Sequence, residues 1–125
     1  MISWLTEEQQ IWYRSVKNYE VYARHQYLYL YNNQISDISA LSVLRNLIGL
    51  SLSGNQISDI SALSGLTNLT HLYLYDNQIS DISAMSGLTN LEALHLNKNP
   101  VVENKSREEI MEVLSGAENL TDVDF

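Results

Sequence analysis

From residue 27 to residue 100 the apolar positions return in a fixed rhythm. Leu28, Leu50, Leu72 and Leu94 recur at an interval of 22 residues, and so do Leu30, Leu52, Leu74 and Leu96. Each copy has two halves with different periods. In Leu72-Tyr73-Leu74 the alternation is that of a short strand, with the leucines facing inward and Tyr73 facing outward. In the second half, Ile79, Ile82, Met85, Leu88 and Leu91 stand three apart. That spacing predicts 3₁₀ turns or a short helix, with Ser83 as its N-cap. A repeat of this length predicts a stacked solenoid, because no single copy can bury its own apolar side and each coil covers the next. The strands, one period apart, then form a parallel sheet.

Polar positions carry the same interval. Asn33, Asn55, Asn77 and Asn99 follow the strands, where the chain must turn sharply and leave inward-facing backbone groups in need of partners. A short amide side chain supplies two donors and an acceptor, so these residues are expected to form a buried ladder with a structural role.

The string Asn-Gln-Ile-Ser-Asp-Ile-Ser-Ala-Leu-Ser-Gly-Leu-Thr-Asn-Leu over residues 55–69, with its near-copies on either side, resembles the short, 22-residue class of leucine-rich repeat. That class is found in bacterial internalins and in a protein phosphatase regulatory subunit. The resemblance covers residues 27 to 100. It departs from the internalin pattern at Ala40, Ala62 and Ala84, where proline is frequent. It implies an α/β fold, a right-handed leucine-rich repeat solenoid with short parallel strands on the concave face and 3₁₀ or short helices on the convex face. A capping helix is expected at each end.

Three segments follow from this reading, all within one domain: an N-terminal helical cap over 1–26, the repeats over 27–100, and a helix-strand cap over 101–125. Thr6-Glu7-Glu8-Gln9 has the spacing of a capping box, so a helix is expected from Glu7. Ile11, Trp12, Val16, Tyr19, Tyr22 and Ala23 would form its apolar stripe, with Trp4 adding buried area. A partner-binding helix is the competing reading. At the other end, Ser106 precedes an acidic first turn and a helix that Gly116 is placed to stop. Leu120, Val123 and Phe125 then repeat the spacing of Leu91, Leu94 and Leu96 at an offset of 29. This segment is similar to the C-terminal cap of leucine-rich repeats in dynein light-chain and spliceosomal proteins.

Composition narrows the function. The chain of 125 residues has no cysteine, which excludes disulfides and thiol chemistry. The sequence contains no run apolar enough to span a membrane and no basic-then-apolar start of a signal peptide, so a cytoplasmic monomer is expected, without membrane contact. The net charge is −8, and residues 100–125 carry seven acids against two bases. A phosphate backbone would be repelled, and nucleic-acid binding is not expected.

Candidate chemistry is sparse. His25 is in register with Leu47 and reads as a packed residue. His71, Asp76 and His95 could form a weak metal site in an enzyme, the least favoured alternative, since such sites need three or four ligands and supporting hydrogen bonds. The template serines lack a base or oxyanion partner. The chain is therefore read as no enzyme, with no cofactor and no metal. What remains is the outward face of the sheet, with columns Tyr27, Gly49, His71 and Ala93; Tyr29, Ser51, Tyr73 and His95; and Tyr31, Ser53, Tyr75 and Asn97. Asn32, Gly54, Asp76 and Lys98 border it. Tyrosine gives rigid amphipathic contact area at low entropic cost. Tyr27, Tyr29, Tyr31, His71, Tyr73, Tyr75, Asp76, His95, Asn97 and Lys98 are thus the candidate contacts for a protein or peptide, the partner class that the resemblance implies. Duplication of one template explains the tyrosines equally well. A consensus-like or engineered scaffold without a ligand is accordingly the second alternative.

Overall fold

The leucine pairs form the strands their alternation predicts. In the computed structural model, which describes residues 20–22 and 26–125, six strands lie in one sheet in chain order. They are β1 (Glu20–Tyr22), β2 (Tyr27–Tyr29), β3 (Gly49–Ser51), β4 (His71–Tyr73), β5 (Ala93–His95) and β6 (Asp122–Asp124). From β2 to β6 the pairing is parallel, and Leu28, Leu50, Leu72, Leu94 and Val123 sit side by side. From β2 onward each strand reaches the next through a crossover of one coil, which gives the right-handed solenoid that the repeat predicts. β1 pairs antiparallel with β2. This differs from the expected helix at Tyr22; the rest of that helix, with Trp4, Trp12 and Tyr19, lies outside the described residues, as does His25.

On the opposite side, the spacing of three becomes a chain of hydrogen bonds. Met85 N donates to Ile82 O, Leu88 N to Met85 O and Leu91 N to Leu88 O, and the two preceding coils repeat the series. Each apolar residue is also a donor to the previous one, so a 3₁₀ geometry keeps all of them on one side. Ile82, Met85, Leu88 and Leu91 are accordingly buried. The 3₁₀ segments run Ser39–Val43, Ser61–Leu63 and Ser83–Met85. Their start differs from expectation. Ser83 is the first residue of its turn and its hydroxyl caps nothing; instead Asp81 Oδ1 accepts from Ser83 N at 2.9 Å, as Asp37 does for Ser39 and Asp59 for Ser61. A carboxylate two residues upstream reaches the free N–H more directly than the serine that carries it.

The asparagine ladder forms as expected. Asn55 Nδ2 donates to Leu52 O of its own coil at 2.8 Å and to Leu30 O of the preceding coil at 3.0 Å, while its Oδ1 accepts from Ile35 N at 3.1 Å. Asn77 and Asn99 repeat the arrangement one and two coils on. Each amide therefore ties two coils together. A second, exposed column was not foreseen: Asn68 Nδ2 donates to Arg45 O, and Asn90 Nδ2 to Thr67 O.

At the C-terminal end, Asn99 and Pro100 open a short helix α1 (Pro100–Asn104), where proline at the first position loses no helical hydrogen bond. Helix α2 (Arg107–Val113) starts with the expected Ser106 cap, completed by a reciprocal bond from Ser106 N to the Glu109 carboxylate. Leu114 ends it. Gly116 plays a different part from the expected stop: it does not adopt a positive φ, and a Cβ there would meet Thr89 Cγ2 at 3.0 Å. Val101, Ile110 and Leu114 close the leucine stack at this end.

Candidate functional site

The sheet face away from the leucine core is built by the first and third residues of strands β2 to β6. Its first column runs Tyr27, Gly49, His71, Ala93, and its second Tyr29, Ser51, Tyr73, His95, as the register requires. Bonds from Asn32 N to Ser53 O and from Gly54 N to Tyr75 O extend the ladder to the third column, Tyr31, Ser53, Tyr75 and Asn97. Large and small residues alternate across the first coils. The Tyr27 ring lies over Gly49, where an added Cβ would meet its Cδ1 at 2.6 Å. Gly49 and Ser53 are buried between their larger neighbours, whereas Tyr31 and Tyr75 are each 42% exposed. The Ser53 hydroxyl has no hydrogen-bond partner among the described residues.

Toward the C-terminal end the side chains make contact with one another. Tyr73 and His95 pack edge to face, ring centroids 4.8 Å apart, and the His71 ring lies 6.5 Å from that of Tyr73. His71 Nδ1 also meets Thr70 Oγ1 at 2.8 Å. Burial, then the negative charge of Asp122, then Tyr29 push the Tyr73 phenol above its ordinary pKa.

Two residues of this face escaped the sequence reading. Parallel pairing of β5 with β6 sets Asp122 beside Ala93 and Asp124 beside His95. His95 Nε2 lies 3.2 Å from Asp122 Oδ1, and Asn97 Nδ2 donates to Asp124 Oδ1. The offset of 29 that places Val123 beside Leu94 also places these carboxylates, had it been applied to Ala93 and His95.

The border residues have a backbone reason. Asn32, Asp76 and Lys98 adopt φ of 55°, 59° and 58°, and Gly54 of 71°. Asparagine, aspartate and glycine suit this left-handed turn, so Asp76 fits its position without reference to a ligand. His71, Asp76 and His95 do not gather into a metal centre: among the described residues no group of three or more His, Asp or Glu could hold an ion. No helix among them is long and apolar enough to cross a membrane.

The family model described as "Leucine Rich repeats (2 copies)" matches residues 26–65, 45–84 and 67–106. Among solved structures, an internalin of Listeria monocytogenes has a TM-score of 0.71 at 37% identity, covering 80% of this chain and 27% of its own. Internalin C2 of the same organism gives 0.64 at 39% identity over 72% of this chain and 37% of its own. A leucine-rich-repeat protein of Leptospira interrogans gives 0.63 at 28% identity over 77% of this chain and 24% of its own. The chain thus spans between 24% and 37% of the length of these relatives. No curated protein matches it.

Proposed function

The chain belongs to the leucine-rich repeat family, and on that premise we propose that it is a non-enzymatic module that binds a protein or peptide through the concave face of its sheet. One observation carries the reading. Tyr31 and Tyr75 leave large apolar surface exposed on a sheet face whose core side is fully packed, beside the half-buried Tyr27, Tyr29 and Tyr73. Aromatic side chains on a rigid sheet give contact area with little ordering cost, and binding energy concentrates in a few such anchors. His71, His95 and Asn97 add polar contacts, with Asp76 and Lys98 at the rim.

The test is capture of a partner from lysate of cells that express the protein, comparing wild type with Tyr73→Ala and with the opposite-face control Ser80→Ala. Tyr73→Ala should weaken the captured partner by about 2 kcal/mol. The fold should survive, since Tyr73 points away from Leu72 and Leu74. Affinity lost on Ser80→Ala but kept on Tyr73→Ala would move the site off this face. The near-identity of the second and third coils favours the scaffold alternative, and capture of nothing by wild type would support it.

A further inference from the structure

Charge is not spread evenly over the concave face. Its first coil presents Tyr27, Tyr29 and Tyr31, while its last strand presents only carboxylates, Asp122 and Asp124, both exposed. Asp76 lies at the border, and Lys98 is the one cation among the face and border residues described. The field of this strand reaches inward, since Asp122 acts on Tyr73 two strands away. Asp122 and Asp124 are alternate residues of one strand, about 7 Å apart along it.

We propose that the concave face takes a basic, extended peptide segment, with arginine side chains on Asp122 and Asp124 and their stems over Tyr73 and His95; this rests on the concave-face reading above. An extended chain bearing arginine at every second residue repeats the spacing of the two carboxylates. A guanidinium pairs with a carboxylate through two parallel hydrogen bonds and also stacks on aromatic faces, so it suits a strand of aspartates beside a tyrosine–histidine pair. The overall charge of −8 draws such a segment in from solution, and the position of Asp122 and Asp124 fixes where it docks.

The probe is a peptide of alternating arginine and glycine, titrated into isotopically labelled protein and followed by backbone amide shifts. A peptide with glutamate replacing arginine is the charge-reversed comparison. The arginine peptide should shift residues of β4, β5 and β6, the glutamate peptide none. The double variant D122N/D124N keeps the polar contacts to His95 and Asn97 but should weaken binding by about five- to tenfold at low salt, with the difference shrinking as salt is added. D59N/D81N removes the same charge from the other side of the coil and should weaken binding far less. Equal weakening by both double variants would mean attraction to net charge alone and would overturn the proposal, as would shifts confined to the 3₁₀ side. The captured partner separates the two readings. Affinity lost on Tyr73→Ala but unmoved by D122N/D124N sinks the basic segment and leaves the concave face standing, whereas indifference to both sinks both.

Discussion

Asn55 shows how much of this fold rests on single side chains. Its amide meets three carbonyls, those of Leu30, Leu52 and Ser53, and one N–H, that of Ile35, all in a place where water does not reach. Asn55→Leu strands those groups and is expected to cost about 1–3 kcal/mol, read as a fall in denaturant midpoint. Gln56→Ala, next door and exposed, should cost little; equal losses at the two positions would rule the ladder out. This role was legible because an asparagine that returns at a fixed interval after each strand answers a need that returns with it, a partner for the backbone groups of the turn. The turn beside it was harder to read. Asn32, Gly54 and Asp76 share a tolerance for positive φ, but Lys98 in the same column hides it, since a lysine pays about 1–2 kcal/mol for that conformation and rarely adopts it. The positive φ gives a reason for Asn32, Gly54 and Asp76 that holds without a ligand, while Lys98 adopts it against its preference.

At the scale of elements, the spacing of three announced the 3₁₀ segments, but not what starts them. The Ser-Asp-Ile-Ser string offers two serines and an aspartate, and sequence alone favoured the serine nearest the turn. Geometry favours the aspartate. Hydrogen bonds from the backbone N–H and then the hydroxyl of Ser39, Ser61 and Ser83 hold the Asp37, Asp59 and Asp81 carboxyls below their ordinary value of 3.8, while neighbours such as Asp59 act on Asp37 in the opposite sense. A carboxyl whose folded pKa is depressed stabilises the fold above its unfolded pKa, and that stability is lost as pH falls through the folded value. Thermal stability is thus expected to fall on acidification below about pH 4. The triple change D37N/D59N/D81N keeps an oxygen acceptor at each turn that does not titrate, so its melting temperature should fall less steeply over the same range. Parallel curves for the two proteins would mean that these turns do not contribute to the acid response. Strand β6 teaches a related lesson: the lengthened last coil hid Asp122 and Asp124, because the interval there is 29 rather than 22.

The described residues form a line of coils in which the sheet pairs successive strands and the 3₁₀ segments pack on their immediate neighbours. Stability in such an array is close to a sum of coil terms and neighbour interfaces, with the ends contributing least. A second copy of residues 49–70 placed after Thr70 would bring its own Leu50, Leu52, Ile57, Ile60, Leu63, Leu66 and Leu69 positions, all buried in the present coil, and its own Asn55 rung. It adds one interior interface of a kind already present and disturbs neither end. The lengthened protein should therefore unfold at a higher denaturant concentration and with a steeper dependence on denaturant, because more surface is exposed on unfolding. A lower midpoint would show that the ends communicate through something other than neighbour packing. The same protein bears on binding. The insertion moves β2, with Tyr27 and Tyr29, one strand further from β6, but leaves β4, β5 and β6 adjacent. An arginine peptide seated on Tyr73, His95, Asp122 and Asp124 should keep its affinity, while a second copy of residues 93–121 placed after Thr121, which parts β5 from β6, should weaken it; the reverse order of effects would place the anchor at the N-terminal tyrosines.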